Sequence, residues 1–303
     1  MQNTSKSVWV LVALAASAMF AVVAPFTVIA EQAGLLPAYA VFYRYVIIML
    51  ITTPFILLFA RSYFNFNRHQ FWLVMLQACA AATLSLTYMA SFSFIPLSLA
   101  VIIFFTAPII TLMVVPFVFG HRLSPAKMAI FFVAFLGLIF VVGPEFSNLN
   151  GLGISLAFIA AICGVIQLLC MSKLVKEISS IALIYSVHLM AMFISFFVLV
   201  TLIYTGNIAP PVALNVDMSV NLVGIVGFYM LAYVLLTMVA KYLQPATISF
   251  VSNVEPIITV ALAIWLFNES FSNIQAFGVV IVLTALVAGS LYKEKTPNEQ
   301  PAE

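Results

Sequence analysis

Three ionisable side chains of this 303-residue chain stand well inside long apolar runs: Arg44, His188 and Glu255. A charge in hydrocarbon costs about 2.5–3.5 kcal/mol at a helix centre on insertion scales, so such residues gather where they face a solvated interior. Glu255 can bind a substrate ammonium or carry a proton; protonated or paired, it can instead lock helices together. It directly precedes Pro256, whose missing N–H frees a carbonyl one turn earlier and permits a kink. Arg44 cannot shed its proton and needs an acceptor or water. A substrate carboxylate, Glu255, and headgroups or outer-loop carbonyls reached by snorkelling are its options. His188 could relay protons, but a neutral ring bonded to a neighbouring helix is the simpler expectation. The amides Gln77, Gln167 and Asn253 can serve a ligand or hold helices together. Lys241 reads as an interfacial anchor, and Glu269 as a cap or latch at the outer end of its helix.

Catalytic patterns are absent from the sequence. It holds no P-loop, no HExxH and no GxSxG, and His69, His121 and His188 lie far apart at different depths. Cys79, Cys163 and Cys170 fall in apolar runs without CxxC or metal spacing and read as small hydrophobes. We therefore expect no enzyme, no cofactor and no bound metal. An ATP-driven pump would need a nucleotide domain for which there is no room. A net charge of +2 without a basic cluster gives no footprint for nucleic acid.

The elements that must position these residues follow from composition. Hydrophobic residues make up 65% and charged ones 7%, far below the roughly 25% charged of soluble domains. At about 20 apolar residues per span, this supports close to ten membrane helices and no sizeable extramembrane domain. We place them at 8–30, 38–60, 71–94, 97–119 and 126–143, then at 151–172, 181–204, 219–240, 246–267 and 274–292. Turn and interface signals separate them, among them Gly34 with Pro37, Pro96, Ser124–Pro125, Pro210–Pro211 and Gln244–Pro245. The first run is too long for a signal-peptide core and is read as a retained helix. Pro25, Pro54, Pro108, Pro116 and Pro256 interrupt five spans and offer kinks or hinges.

Charge sets the orientation. Lys6, Arg61, Arg68, Arg122, Lys127, Lys173, Lys176, Lys241, Lys293 and Lys295 sort to one side, and Glu31, Glu145, Asp217 and Glu269 to the other. The basic side is cytoplasmic, so both termini lie inside a multi-pass protein of the cytoplasmic (inner) membrane.

A shift of 148 residues aligns "TAPIITLMVVPFVFGHRLS" (106–124) with "VEPIITVALAIWLFNESFS" (254–272) without a gap, setting Pro108 on Pro256. An offset of five spans turns the second copy upside down, giving repeats over 1–147 and 148–303. Inverted repeats of this kind are a hallmark of secondary transporters.

The stretch "LQPATISFVSNVEPIITVALAIWLFNES" resembles the closing motif of EamA-type members of the drug/metabolite transporter superfamily. Pro256 and Glu269 keep that motif's thirteen-residue interval; Pro108 keeps it too but meets His121 instead of an acid. "SFSFIPLSLAVIIFFTAPI" (91–109) and "FYRY" (42–45) are also similar to the family. The resemblance implies an all-α membrane fold of ten helices in two inverted five-helix repeats. It further implies a cavity lined by the third, fourth, eighth and ninth helices, and hence by Tyr88, Phe92, Phe104, Tyr229, Tyr233 and Trp265. With Arg44, Gln77, Gln167, Asn253 and Glu255 these form the expected substrate pathway, hinged at Pro108 and Pro256. The expected function is secondary-active movement of a small polar or amphipathic metabolite, an amino acid or related compound, with export favoured. Uptake of a compound such as S-adenosylmethionine or riboflavin is the alternative, and a non-transporting sensor a more distant one. Expected partners are the substrate, membrane lipid and protons as coupling ion, in a monomer or homodimer.

Overall fold

The computed structural model describes residues 2–59, 64–95, 97–120, 124–142, 149–267 and 272–291. Arg61, His121, Arg122, Glu145, Glu269, Lys293 and Lys295 lie outside these, as do the side chains of Lys6 and Lys127. Among the described residues the chain is all-helical. The helices are α1 (Gln2–Gln32), α2 (Pro37–Phe59), α3 (Arg68–Ser91), α4 (Leu97–Phe104), α5 (Ala107–Phe119) and α6 (Pro125–Val142). They continue as α7 (Gly151–Leu174), α8 (Ser180–Tyr204), α9 (Val216–Ala240), α10 (Pro245–Val251), α11 (Glu255–Phe267) and α12 (Asn273–Leu291).

Side-chain caps fix several starts. Asn67 accepts from the Gln70 N–H at 2.8 Å while Gln70 accepts from the Asn67 N–H at 3.1 Å, a reciprocal box at the head of α3. Ser272 and Gln275 repeat that arrangement before α12, and Asn150 and Asn215 cap α7 and α9. Apolar content then carries each helix. Among the described residues, eight segments are long and apolar enough to cross a membrane, and α6 and α12 contain shorter apolar stretches, Met128–Val142 and Asn273–Gly289. The chain is a multi-pass helical membrane protein.

Two segments expected as single kinked helices are instead broken. The fourth span divides into α4 and α5 at Phe105–Thr106, and the ninth into α10 and α11 around a 3₁₀ turn at Ser252–Val254. Pro108 and Pro256 are the second residues of α5 and α11. A proline is tolerated in a first turn, where its missing N–H would have no intrahelical partner. In an unbroken helix those N–H groups would have bonded the carbonyls of Phe104 and Ser252, where the breaks begin. By contrast Pro25, Pro54 and Pro116, expected to interrupt their spans, lie within continuous helices. Neighbouring helices and local adjustment make this tolerable in membrane segments.

The helices pair crosswise. α1 lies along α9, α3 along α7, α6 along α12, and α2 against α8. The largest buried cluster joins α1, α2, α3, α8 and α9, and includes Tyr45, Leu183, Ile225 and Tyr233. Where α6 meets α12, a Cβ on Gly278 would come within 2.5 Å of the Val141 nitrogen and 2.7 Å of the Gly137 oxygen. Only glycine permits that approach.

Candidate functional site

A cavity of about 280 Å³ lies between α1, α3, α7, α9 and the two broken helices, with Arg44 reaching it from α2. This is near the lower end of the roughly 300–1,000 Å³ usual for small-molecule sites. Its position follows from the breaks: α4–α5 and α10–α11 both turn their discontinuities toward it, through Phe104, Pro108, Ser252, Glu255 and Pro256.

Of the residues expected on the pathway, Arg44, Tyr88, Phe92, Phe104, Gln167, Tyr229, Tyr233 and Glu255 line this cavity, as do both expected hinges, Pro108 and Pro256. Gln77 stands behind the wall, fully buried, and donates through Nε2 to the Tyr233 hydroxyl at 3.0 Å. Asn253 is buried in the 3₁₀ turn and does not line the cavity. Trp265 does not reach it either: it points away from the bundle, 75% exposed. His188, expected to bond a neighbouring helix, instead bonds its own, Nδ1 lying 2.7 Å from the Ile184 carbonyl. Its Nε2 is buried without a hydrogen-bond partner among the described residues. Lys241 ends α9 as an exposed cap, in keeping with an anchor. Cys79 is exposed while Cys170 is buried.

Arg44 sits at the centre of a polar and aromatic knot. Its guanidinium carbon lies 3.8 Å from the centroid of the Tyr229 ring and 4.9 Å from that of Tyr45. Nη2 donates to the Ser85 hydroxyl at 2.8 Å, and only 5% of the residue is exposed. Among the described residues no ion pair joins it to Glu255 or to another carboxylate. His188 packs edge-on against Tyr45, Tyr229 and Tyr233, with centroids 5.8, 5.8 and 4.6 Å away. α2, α3, α8 and α9 therefore meet behind this part of the wall. A second aromatic group faces it from the first half of the chain: Tyr88 lies 4.8 Å from Phe92 and 4.6 Å from Phe104, centroid to centroid.

Sequence reasoning missed Ser85 and Phe20, both on the cavity wall. Ser85 follows Arg44 by 41 residues, and a small hydroxyl residue in an apolar helix carries no signal of such a pairing. Tyr45 was visible only as part of the "FYRY" segment.

The arrangement places one permanent cation and one carboxyl, unpaired with each other among the described residues, on a mainly aromatic and apolar wall that also carries Gln167 and several serine and threonine hydroxyls. Such a surface can hold an amphipathic organic molecule by stacking and burial while orienting its polar end.

Comparisons with known proteins agree. Residues 151–290 match the EamA-like transporter family. A solved structure described only as "Crystal structure of protein" superposes with a TM-score of 0.76 over 95% of this chain and 96% of its own, at 14% sequence identity. At that identity the likeness speaks for the fold alone. No curated protein matches. Residues 151–290 thus carry a match to the EamA-like transporter family, within a multi-pass helical membrane protein.

Proposed function

We propose that this protein is a secondary-active carrier that moves a small amphipathic metabolite, an amino acid or a related compound, outward across the cytoplasmic membrane. The observation that carries the reading is the cavity between two broken helices, holding Arg44 and Glu255 among aromatic side chains. Broken helices around a midplane site are how transporters create a binding place inside lipid.

An antiparallel duplication fits this reading. α4 and α10 begin 148 residues apart, as do α5 and α11. The pairing of α1 with α9 is matched by that of α3 with α7, as a two-fold relation between halves requires. With 18 and 19 residues, α6 and α12 are about 27–29 Å long, close to the hydrocarbon thickness, which suits ten spans. The two halves rock about the cavity, with the backbone at Pro108 and Pro256 absorbing the motion. Both termini are cytoplasmic because the basic residues gather there.

Glu255 is the proton site in this scheme, a carboxyl on the cavity wall that loads and releases a proton as access alternates. In proteoliposomes, Glu255→Gln should abolish flux driven by a pH gradient while exchange of labelled for unlabelled substrate continues. Undiminished pH-driven flux in that variant rejects the coupling role.

A further inference from the structure

Arg44 is a buried cation that no described carboxylate neutralises. The residue is 5% exposed, so it does not snorkel to headgroups, and among the described residues no carboxylate pairs with it. The Tyr229 and Tyr45 rings stand against the guanidinium, leaving its hydrogen-bonding to its N–H edges. Those edges carry five donors. Ser85 takes one from Nη2 at 2.8 Å, and Nε is buried without an acceptor among the described residues. A guanidinium so placed suits a planar anion able to accept two N–H bonds, the match that separates arginine from lysine.

The same side chain lines the cavity, and so do Tyr229 and the aromatic group at Tyr88 and Phe104. Resting on the carrier reading above, we infer that Arg44 is the carboxylate subsite of this cavity, and that the cargo is an organic carboxylate with a bulky apolar or aromatic body. The carboxylate completes the coordination of Arg44, and the body fills the aromatic remainder. Ser85 is the positioning residue: its hydroxyl fixes the guanidinium through Nη2. Binding requires no oxidant, metal or covalent step.

The test compares matched ligands on the full-length protein in lipid nanodiscs, read by thermal shift and by titration calorimetry. Hydrocinnamate, isocaproate, phenylalanine and leucine are each set beside their primary amides, which keep the body and remove the anionic charge. We expect an acid in this panel to bind and its amide to bind about 10- to 100-fold more weakly, the worth of a charge-assisted hydrogen bond. Arg44→Gln should erase that preference by weakening the acid alone. Arg44→Lys should keep the sign of the preference and reduce its size, because a lysine offers no fork. Equal binding of acid and amide overturns the assignment, and so does a panel with no acid bound through the millimolar range or a preference that survives Arg44→Gln. Should Arg44→Gln fail to fold, the wild-type ratio and Arg44→Lys decide the matter. An acid that binds in this way but drives no counterflow in liposomes removes the carrier reading and leaves the subsite. A protein that carries only ligands lacking a carboxylate does the reverse.

Discussion

Tyr233 turns its ring to the cavity and its hydroxyl to Gln77 on α3, so one residue joins the wall to the packing behind it. Gln77 Oε1 already lacks an acceptor's partner among the described residues, and the Tyr233 hydroxyl is what holds the amide nitrogen. Tyr233→Phe should therefore lower stability by about 1–2 kcal/mol, since a buried donor is left unpaired where neither water nor another acceptor replaces it. Trp265→Leu, on the outward surface, should change stability by no more than about 0.5 kcal/mol. Melting curves of both detergent-solubilised variants make the comparison. At this scale the charges were legible in sequence because a lone ion in an apolar run demands an explanation. Arg44 and Glu255 were found that way. Trp265 was misplaced because family likeness gives positions but not helix phase. Ten residues beyond Glu255, it is rotated by about 80° from it, whereas Thr259, four residues on, stays on the cavity side.

Among the elements, α6 and α12 show the tightest constraint. Because the two nearest atoms facing Gly278 belong to the backbone of α6, a larger side chain cannot be accommodated by a change of rotamer. Gly278→Leu should separate the two helices and cost about 1–3 kcal/mol or more. Gly227 on α9 meets nothing within 4 Å, so Gly227→Ala should be neutral or stabilising by up to about 1 kcal/mol through helix propensity. Thermal unfolding of the pair separates contact from propensity. Helix existence was legible throughout, because apolar runs of span length have few other outcomes. The character of the fourth and ninth spans was only half legible. Their prolines announced a discontinuity, but whether a proline bends a helix or starts a new one depends on neighbours distant in sequence. Pro25 and Pro116, carried inside continuous helices, could not be told from Pro108 and Pro256 by residue type.

The crosswise pairing of α1 with α9 and of α3 with α7 sets the arrangement of the whole molecule, since each half supplies the other's principal partners. Each half alone would lose the close packing of α1 on α9 and of α3 on α7, so the halves should not be separable as folded units. The antiparallel duplication proposed above has a direct readout. Single cysteines at Lys241 and Glu269 should be labelled by membrane-impermeant reagents from opposite faces of the bilayer. Labelling of both from one face would rule the duplication out. In the sequence the proposed duplication shows only where the stretches around Pro108 and Pro256 resemble each other. The remaining helix pairs share a partner arrangement but no readable sequence pattern.

The guanidinium of Arg44 never gives up its proton, and it stands on the cavity wall. On the carboxylate reading proposed above, a cargo without an ammonium group shifts the charge of that chamber by one unit, whichever state Glu255 holds, whereas a zwitterionic amino acid leaves it unchanged. The transmembrane voltage is worth about 2.3 kcal/mol per elementary charge for each 100 mV. If the cargo is such an anion, the loaded and empty conformers of the proposed carrier respond to that voltage unequally, whereas a zwitterion makes them respond alike.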